Sequence, residues 1–220
     1  MEEKLLIMFI TFEGIEGSGK TSHVRSTAEF LRDKGHECII TREPGGTRIG
    51  EKIRAILLDP LSKDMGPLTE LLLYTADRAQ HVSERILPLL AAGKTVLCDR
   101  YFDATMAYQG FARGIDTGLI DKIHGLLFEN LRPDLTILLD LPAEIGLARA
   151  WKQINKGARN NEETRFEEET LSFHKKVRAG YLEIARLEPE RFRIIDASET
   201  EKDVREKIIE TLSDAIKGLF

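Results

Sequence analysis

Five short apolar runs separated by longer amphipathic stretches constrain this chain more than any other feature. The runs fall at residues 5–12, 37–41, 95–99, 135–139 and 192–195. Around them, apolar residues recur at helical spacing over 22–34, 49–58, 68–92, 119–131, 143–154, 167–187 and 202–219. Gly35, Pro60 and Gly93 stand just past three of these stretches, where helices stop. A strand that is apolar on both faces has to be covered on both faces, and the alternating helices supply the cover. The pattern predicts an α/β fold with three layers, α/β/α, around a five-stranded, mainly parallel sheet.

Composition narrows the function classes. The 220 residues carry 32 Lys+Arg against 37 Asp+Glu, a formal net charge of −5, with 42% hydrophobic and 31% charged residues. This is neither a disordered nor a membrane-spanning composition, and its acidic balance argues against a broad platform for nucleic acid. Cys38 and Cys98 lie far apart without partners at metal spacing, so neither a disulfide framework nor a zinc site is expected. The run at 5–12 leads straight into Glu13-Gly14 with no small-residue cleavage site, and reads as a buried strand. A cytoplasmic chain without a membrane partner is the expectation. No repeat or linker divides it, so 1–220 reads as a single domain with a lid segment inserted at about 150–165. The polar stretch 155–164 fits either a solvated surface loop or a mobile lid.

Gly14-Ile15-Glu16-Gly17-Ser18-Gly19-Lys20-Thr21 fits GxxxxGK[ST] and lies between the first strand and the first helix. Glycines let backbone N–H groups converge there on phosphate oxygens, and the helix N-terminus adds its positive dipole end. Lys20 would bridge the β- and γ-phosphates, and the Thr21 hydroxyl would ligate Mg²⁺. A glycine-rich turn with an incidental lysine is the competing reading; the strand–turn–helix context weighs against it, in favour of a nucleoside triphosphate site. The third strand ends in Asp99-Arg100-Tyr101. A carboxylate at that strand end suits Mg²⁺, held directly or through water. Arg100 suits a bidentate clamp on a second phosphate, and a plain strand-end ion pair is the alternative. Tyr74 and Arg78, one helical turn apart, suit a base and its carbonyl edge, though such a pair also fits an ordinary helix rim. The apolar stripe of their helix is expected through Leu71, Leu72, Ala79, Val82 and Ile86.

Several motifs, in order along nearly the whole chain, resemble the bacterial-type thymidylate kinases. They are Phe12-Glu13-Gly14 through Thr21, Thr41-Arg42-Glu43-Pro44-Gly45-Gly46-Thr47, Leu73-Tyr74-Thr75-Ala76-Asp77-Arg78, Asp99-Arg100-Tyr101, Ala107-Tyr108-Gln109-Gly110 and Thr164-Arg165-Phe166-Glu167. The resemblance implies a P-loop NTPase fold with a helical lid. It also implies phosphoryl transfer from MgATP to dTMP, giving dTDP and ADP in dTTP biosynthesis, on a homodimer. Carried over, Lys20 and Thr21 hold the ATP phosphates and Mg²⁺, the rest of the loop from Gly14 to Gly19 and Arg149 complete the ATP site, and Asp99 supports metal and acceptor. Arg100 grips the dTMP phosphate, Tyr74 stacks on thymine and Arg78 bonds its O4 edge. Thr105 sits near the other polar edge, Tyr108 packs on the deoxyribose and disfavours a 2′-hydroxyl, and Glu43 and Gln109 belong to segments facing the acceptor.

Three departures stand out. Ala104 occupies a position where the family usually carries serine, and loop positions 15–18 contain no arginine. Members lacking that arginine supply the charge from the lid; here 155–164 is several residues longer than the compact bacterial version. Arg149 and Arg165 flank it, Lys152, Lys156 and Arg159 are candidates for the catalytic cation, and Arg159, in the basic glycine-containing loop, is the residue assigned. Rival readings are a kinase for another nucleoside monophosphate or a deoxynucleoside, a P-loop switch ATPase, and a non-catalytic nucleotide-binding module. The absence of an N-K-x-D stretch lowers the switch, and Lys20, Thr21, Asp99 and Arg100 together lower the inert module.

Overall fold

A computed structural model describes residues 6–157 and 162–217. The expected sheet is present: β1 (Phe9–Glu13), β2 (Cys38–Arg42), β3 (Thr95–Asp99), β4 (Leu135–Asp140) and β5 (Phe192–Asp196). All pairings are parallel, in the order β2-β3-β1-β4-β5. The three inner strands are buried along nearly their whole length, as their unbroken apolar sequences require. The edge strands β2 and β5 each alternate buried with more exposed positions, because part of their surface meets water.

Successive side chains of each strand enter opposite layers. Ile10, Phe12 and Leu97 pack with Val24, Ala28 and Leu31 of α1 (Lys20–Asp33). The same layer takes Val177 and Tyr181 of α8 (Leu171–Leu187) and Val204, Ile208 and Leu212 of α9 (Glu201–Lys217). Phe9, Val96 and Cys98 face the other way, onto Leu71 of α3 (Pro67–His81) and Ile120 and Phe128 of α6 (Thr117–Phe128). The remaining helices are α2 (Arg48–Leu58), α4 (Leu87–Ala91), α5 (Phe102–Thr105) and α7 (Ala143–Asn155). Among the described residues no helix is long and apolar enough to cross a membrane.

Four features differ from the sequence reading. The stretch 68–92 is not one regular helix: α3 gives way to a wider π turn at Val82–Ile86 before α4. Pro88 has no N–H for the carbonyl four residues back, and its ring crowds that carbonyl, so the preceding turn opens. Of the expected stripe, Leu71, Val82 and Ile86 are buried but Leu72 and Ala79 are exposed, and within α3 the inward face is completed by Thr75 and Arg78. Helix α8 begins at Leu171, capped by Thr170, whose hydroxyl accepts from the Phe173 N–H; residues 167–169 belong to turns. The segment Phe102–Ala112 is helical throughout, α5 continuing into a π stretch at Met106–Ala112, where the sequence shows no apolar period of useful length.

One polar seam crosses the apolar interior. Arg191 donates twice to Asp103 (2.7 and 2.7 Å) and once to Thr136 Oγ1 (2.8 Å), which itself meets Thr11 Oγ1 at 2.9 Å. Asp103 is fully buried. Asp103→Ala removes two charge-assisted hydrogen bonds from Arg191 but leaves it paired with Glu188 at 2.6 Å, so the substitution is expected to cost about 2–3 kcal/mol of folding stability. Urea unfolding of the variant beside wild type measures it.

Candidate active site

The carboxyl ends of β1, β2 and β3 open on one cleft of about 660 Å³. Strand β1 lies between β3 and β4, so the chain crosses the sheet at β1, and the loop after β1 faces that crevice. Gly17 has φ 71°, and a Cβ there would lie 2.1 Å from the Gly146 carbonyl oxygen; Gly14, at φ 138°, would meet the Leu139 oxygen at 2.5 Å. Only glycine lets the loop adopt this conformation so close to α7 and β4. Ile15 points into the core, so it serves the loop through its backbone. Lys20 Nζ donates to the carbonyls of Gly14 (3.0 Å) and Ile15 (2.7 Å) and to Ser18 Oγ (3.3 Å). Burial, joined by Arg100 nearby, pushes its ammonium down to about 7. Thr21 Oγ1 donates to Asp99 Oδ2 at 2.9 Å, so the two expected metal ligands stand side by side. Their all-oxygen donor set is of the kind Mg²⁺ takes.

Arg100 has a left-handed backbone, φ 68°, which turns its side chain back over the loop. Nη1 donates to the Gly14 carbonyl (2.8 Å) and the Tyr181 hydroxyl (3.2 Å), and Nη2 to Glu16 Oε1 (2.9 Å). The Tyr108 hydroxyl donates to the same Glu16 oxygen at 2.5 Å, and the Arg100 guanidinium sits 5.1 Å from the Tyr108 ring centre. Burial alone would raise the Glu16 pKa, but Arg100, His174 and Lys20 outweigh it and hold the carboxyl well below its usual range. Glu16 thus reaches out of the loop to hold both Arg100 and Tyr108.

Another wall of the cleft is built on α3. Tyr74 is half-buried and lines the cavity with Ala104, Thr105 and Tyr108. Arg78 is pinned: Nε donates to Glu43 Oε2 (2.9 Å), and Nη2 to the Tyr101 carbonyl (3.1 Å) and Thr105 Oγ1 (2.8 Å). The second Glu43 oxygen meets His81 Nδ1 at 2.8 Å, and His81 Nε2 meets Thr41 Oγ1 at 2.5 Å. Glu43 is therefore largely buried and orients Arg78; it lines the cleft together with Pro44 and Arg42, and Arg42 is half-exposed beside Glu51. Gln109 lines the cavity, but its amide is spent on Glu70 (2.8 Å), which also binds Arg113 and Arg165.

Two of the expected residues are not placed in the cleft. Arg149 is not among the cleft-lining residues; it donates to the carbonyls of Ala197 (2.7 Å) and Ser198 (3.2 Å), fastening α7 to the turn after β5. Arg159 falls outside the described residues. The stretch 155–164 is not polar loop alone, since Asn155 ends α7, Glu163 pairs with Arg54 at 2.6 Å, and Thr164 is buried. Sequence reasoning missed Arg42 and Arg54 on the cleft wall, and His174 and Tyr181 on α8. Arg42 was findable, since it precedes Glu43 in the quoted motif; the α8 residues look like one more amphipathic stripe.

A parallel sheet of this order, a glycine-built phosphate loop at its carboxyl edge and a second cationic clamp in the same cleft define a P-loop nucleotide-binding protein. The family model described as thymidylate kinase matches residues 12–208. The chain belongs to the thymidylate kinase family. It is 52% identical over 205 residues to the thymidylate kinase of Desulfosudis oleivorans, covering 93% of this chain and 96% of that one. It is 56% identical over 202 residues to that of Desulforapulum autotrophicum, covering 92% and 89%. The crystal structure of thymidylate kinase from Ehrlichia chaffeensis superposes with a TM-score of 0.74 at 34% identity, covering 93% of this chain and 98% of that one.

Proposed function

We infer that this chain transfers the γ-phosphoryl group of ATP to dTMP, giving dTDP and ADP. The observation that carries the reading is the meeting of two phosphate-binding elements on one atom, the Gly14 carbonyl oxygen, which accepts from Lys20 at 3.0 Å and from Arg100 at 2.8 Å. In the reaction a dTMP phosphate oxygen bonds to the γ-phosphorus while the bond to the β–γ bridging oxygen breaks, and ADP leaves with that electron pair. The acceptor is already anionic, so the chain's task is to bring two repelling groups in line. The loop amides and Lys20 hold the donor phosphates, and Arg100 holds the acceptor phosphate. Both cations also offset charge at the reacting oxygens. Thr21 and Asp99 would hold Mg²⁺, which when bound neutralises phosphate charge. Tyr74 gives the thymine ring a flat surface, with Arg78 toward its O4 edge, Thr105 at its other polar edge and Tyr108 against the sugar. Gln109 and Glu43 support these groups from behind, and Arg149 acts on the ATP side through the turn it fastens.

We read 1–220 as one domain working in the cytoplasm as a homodimer. Exposed Leu68 and Leu72 on α3 and Leu126 and Leu127 on α6 support an apolar interface.

ATP consumption measured with dTMP, dUMP, dCMP, dGMP, dAMP and thymidine tests the reading; thymidine or dCMP as the best acceptor would overturn it. With Nε and Nη2 of Arg78 engaged, a pocket built around a carbonyl acceptor leaves its Nη1 facing a donor when cytosine's amino group arrives. Wild type is expected to favour dTMP over dCMP by at least about 10²-fold in kcat/KM, and Arg78→Met to shrink that ratio below about tenfold.

A further inference from the structure

Helix α8 contributes a buried histidine that phosphoryl transfer does not directly require. His174 is fully buried, and its Nε2 lies 2.9 Å from the Phe166 carbonyl oxygen, three residues past 155–163 and at the base of the segment entering α8. A carbonyl only accepts, so Nε2 carries a proton. On the other side, Nδ1 stands 3.1 Å from Glu16 Oε2, an ion-pair contact, and among the described residues neither of those two atoms has a hydrogen-bond partner elsewhere. A bare Nδ1 would set two lone pairs against each other in a buried site, so the ring holds both protons and is a cation. Burial works against that charge, but Glu16, the Phe166 carbonyl and Glu167 outweigh it and raise the ring's pKa above its ordinary value. Beyond Glu16 stand Arg100 and Lys20, whose charges bear on the same carboxylate.

We propose that His174 is a positioning residue for the acceptor phosphate: its doubly protonated ring ties the Phe166 main chain to the phosphate-loop Glu16, and Glu16 in turn orients Arg100 and Tyr108. The proposal rests on the acceptor role given to Arg100 above. With both Glu16 oxygens engaged, Oε1 by Arg100 and Tyr108 and Oε2 by His174, the carboxylate cannot swing, and the guanidinium it holds stays aimed into the cleft. The tie also links phosphate-loop geometry to the segment that follows 155–163. Because the folded-state pKa is raised, the tie is complete at low pH and is lost as pH rises through the ring's folded midpoint.

Steady-state kinetics of wild type and His174→Phe, from about pH 6 to about pH 9, test the consequence. At the acidic end the variant is expected to raise KM for dTMP about tenfold, with kcat and KM for ATP within about twofold. Toward the alkaline end wild type loses the tie, so the ratio of the two KM values falls toward one; titration of the dTMP phosphate cancels in that ratio. Nitrogen NMR of the ligand-free wild-type chain gives an independent reading: both ring nitrogens of His174 protonated at neutral pH, and a lower midpoint in Glu16→Gln. A singly protonated ring at neutral pH, or His174→Phe with wild-type KM for dTMP at every pH, overturns the proposal. If the variant fails to fold, the NMR result on wild type decides. If wild type leaves dTMP untouched, the acceptor assignment falls while the NMR result still reports on the ring, so the two failures are told apart.

Discussion

Replacing Lys20 with Met is expected to lower kcat for dTDP formation by about 10³-fold while the folded state stays as stable as wild type or becomes more so. Both halves come from the same geometry. Lys20 Nζ is held over the loop by the carbonyls of Gly14 and Ile15, which fixes where its charge meets a phosphate before any nucleotide arrives. Preorganised charge of this kind needs no rearrangement during transfer, and that is why one such donor is worth orders of magnitude in rate. In the folded chain the ammonium is buried and stands near Arg100, and both effects disfavour its charged form although Asp99, Glu16 and Glu13 pull the other way. A methionine of similar length removes that cost. Rate falling while stability holds marks a residue kept for chemistry; a kcat within tenfold of wild type would sink the assignment. Coupled-assay kinetics together with urea unfolding of the same preparation measure both.

What the sequence made legible follows from how local each cause is. The phosphate loop could be read residue by residue because its geometry depends on φ values that Gly14, Gly17 and Gly19 supply at fixed spacing. The inner strands were legible because a sheet covered on both faces leaves no polar alternation. The inward face of α3 was legible only in part: Leu71 is buried as expected, but Leu72 and Ala79 mimic a core stripe while the face toward the sheet also carries Thr75, Asp77 and Arg78. Charged residues are buried there because they pair, Arg78 with Glu43 above all, and pairing between residues 35 apart leaves no mark on periodicity. Glu43 lines the cleft, as its motif led one to expect, but the partners of its carboxylate, Arg78 and His81, lie 35 and 38 residues on and were not legible. The contacts of Tyr181 with Glu13 and of His174 with Glu16 span more than 150 residues, so only the folded chain reveals that α8 braces the phosphate loop.

Arg100→Ala and Arg100→Gly are expected to lose kcat/KM for dTMP alike, by about 10³-fold, with KM for ATP within about threefold of wild type. The pair of variants separates two roles of one residue. Arg100 sits at φ 68°, where an alanine is strained by ~1–2 kcal/mol and a glycine is not. If the arginine mattered only because it turns the chain from β3 into α5, the glycine variant would retain activity and the alanine variant would suffer most. If it matters as a clamp, both lose the guanidinium that bridges the Gly14 carbonyl, the Tyr181 hydroxyl and Glu16, and both lose the same kinetic factor whatever their stabilities. Arg100→Lys sharpens the distinction: it keeps the charge but cannot span Glu16 and a phosphate with a planar fork, so it recovers only part of the loss. A glycine variant within tenfold of wild type in kcat/KM for dTMP would take the acceptor phosphate away from Arg100 and leave Arg42, exposed on the cleft wall in the neighbouring strand, as the group to which it passes.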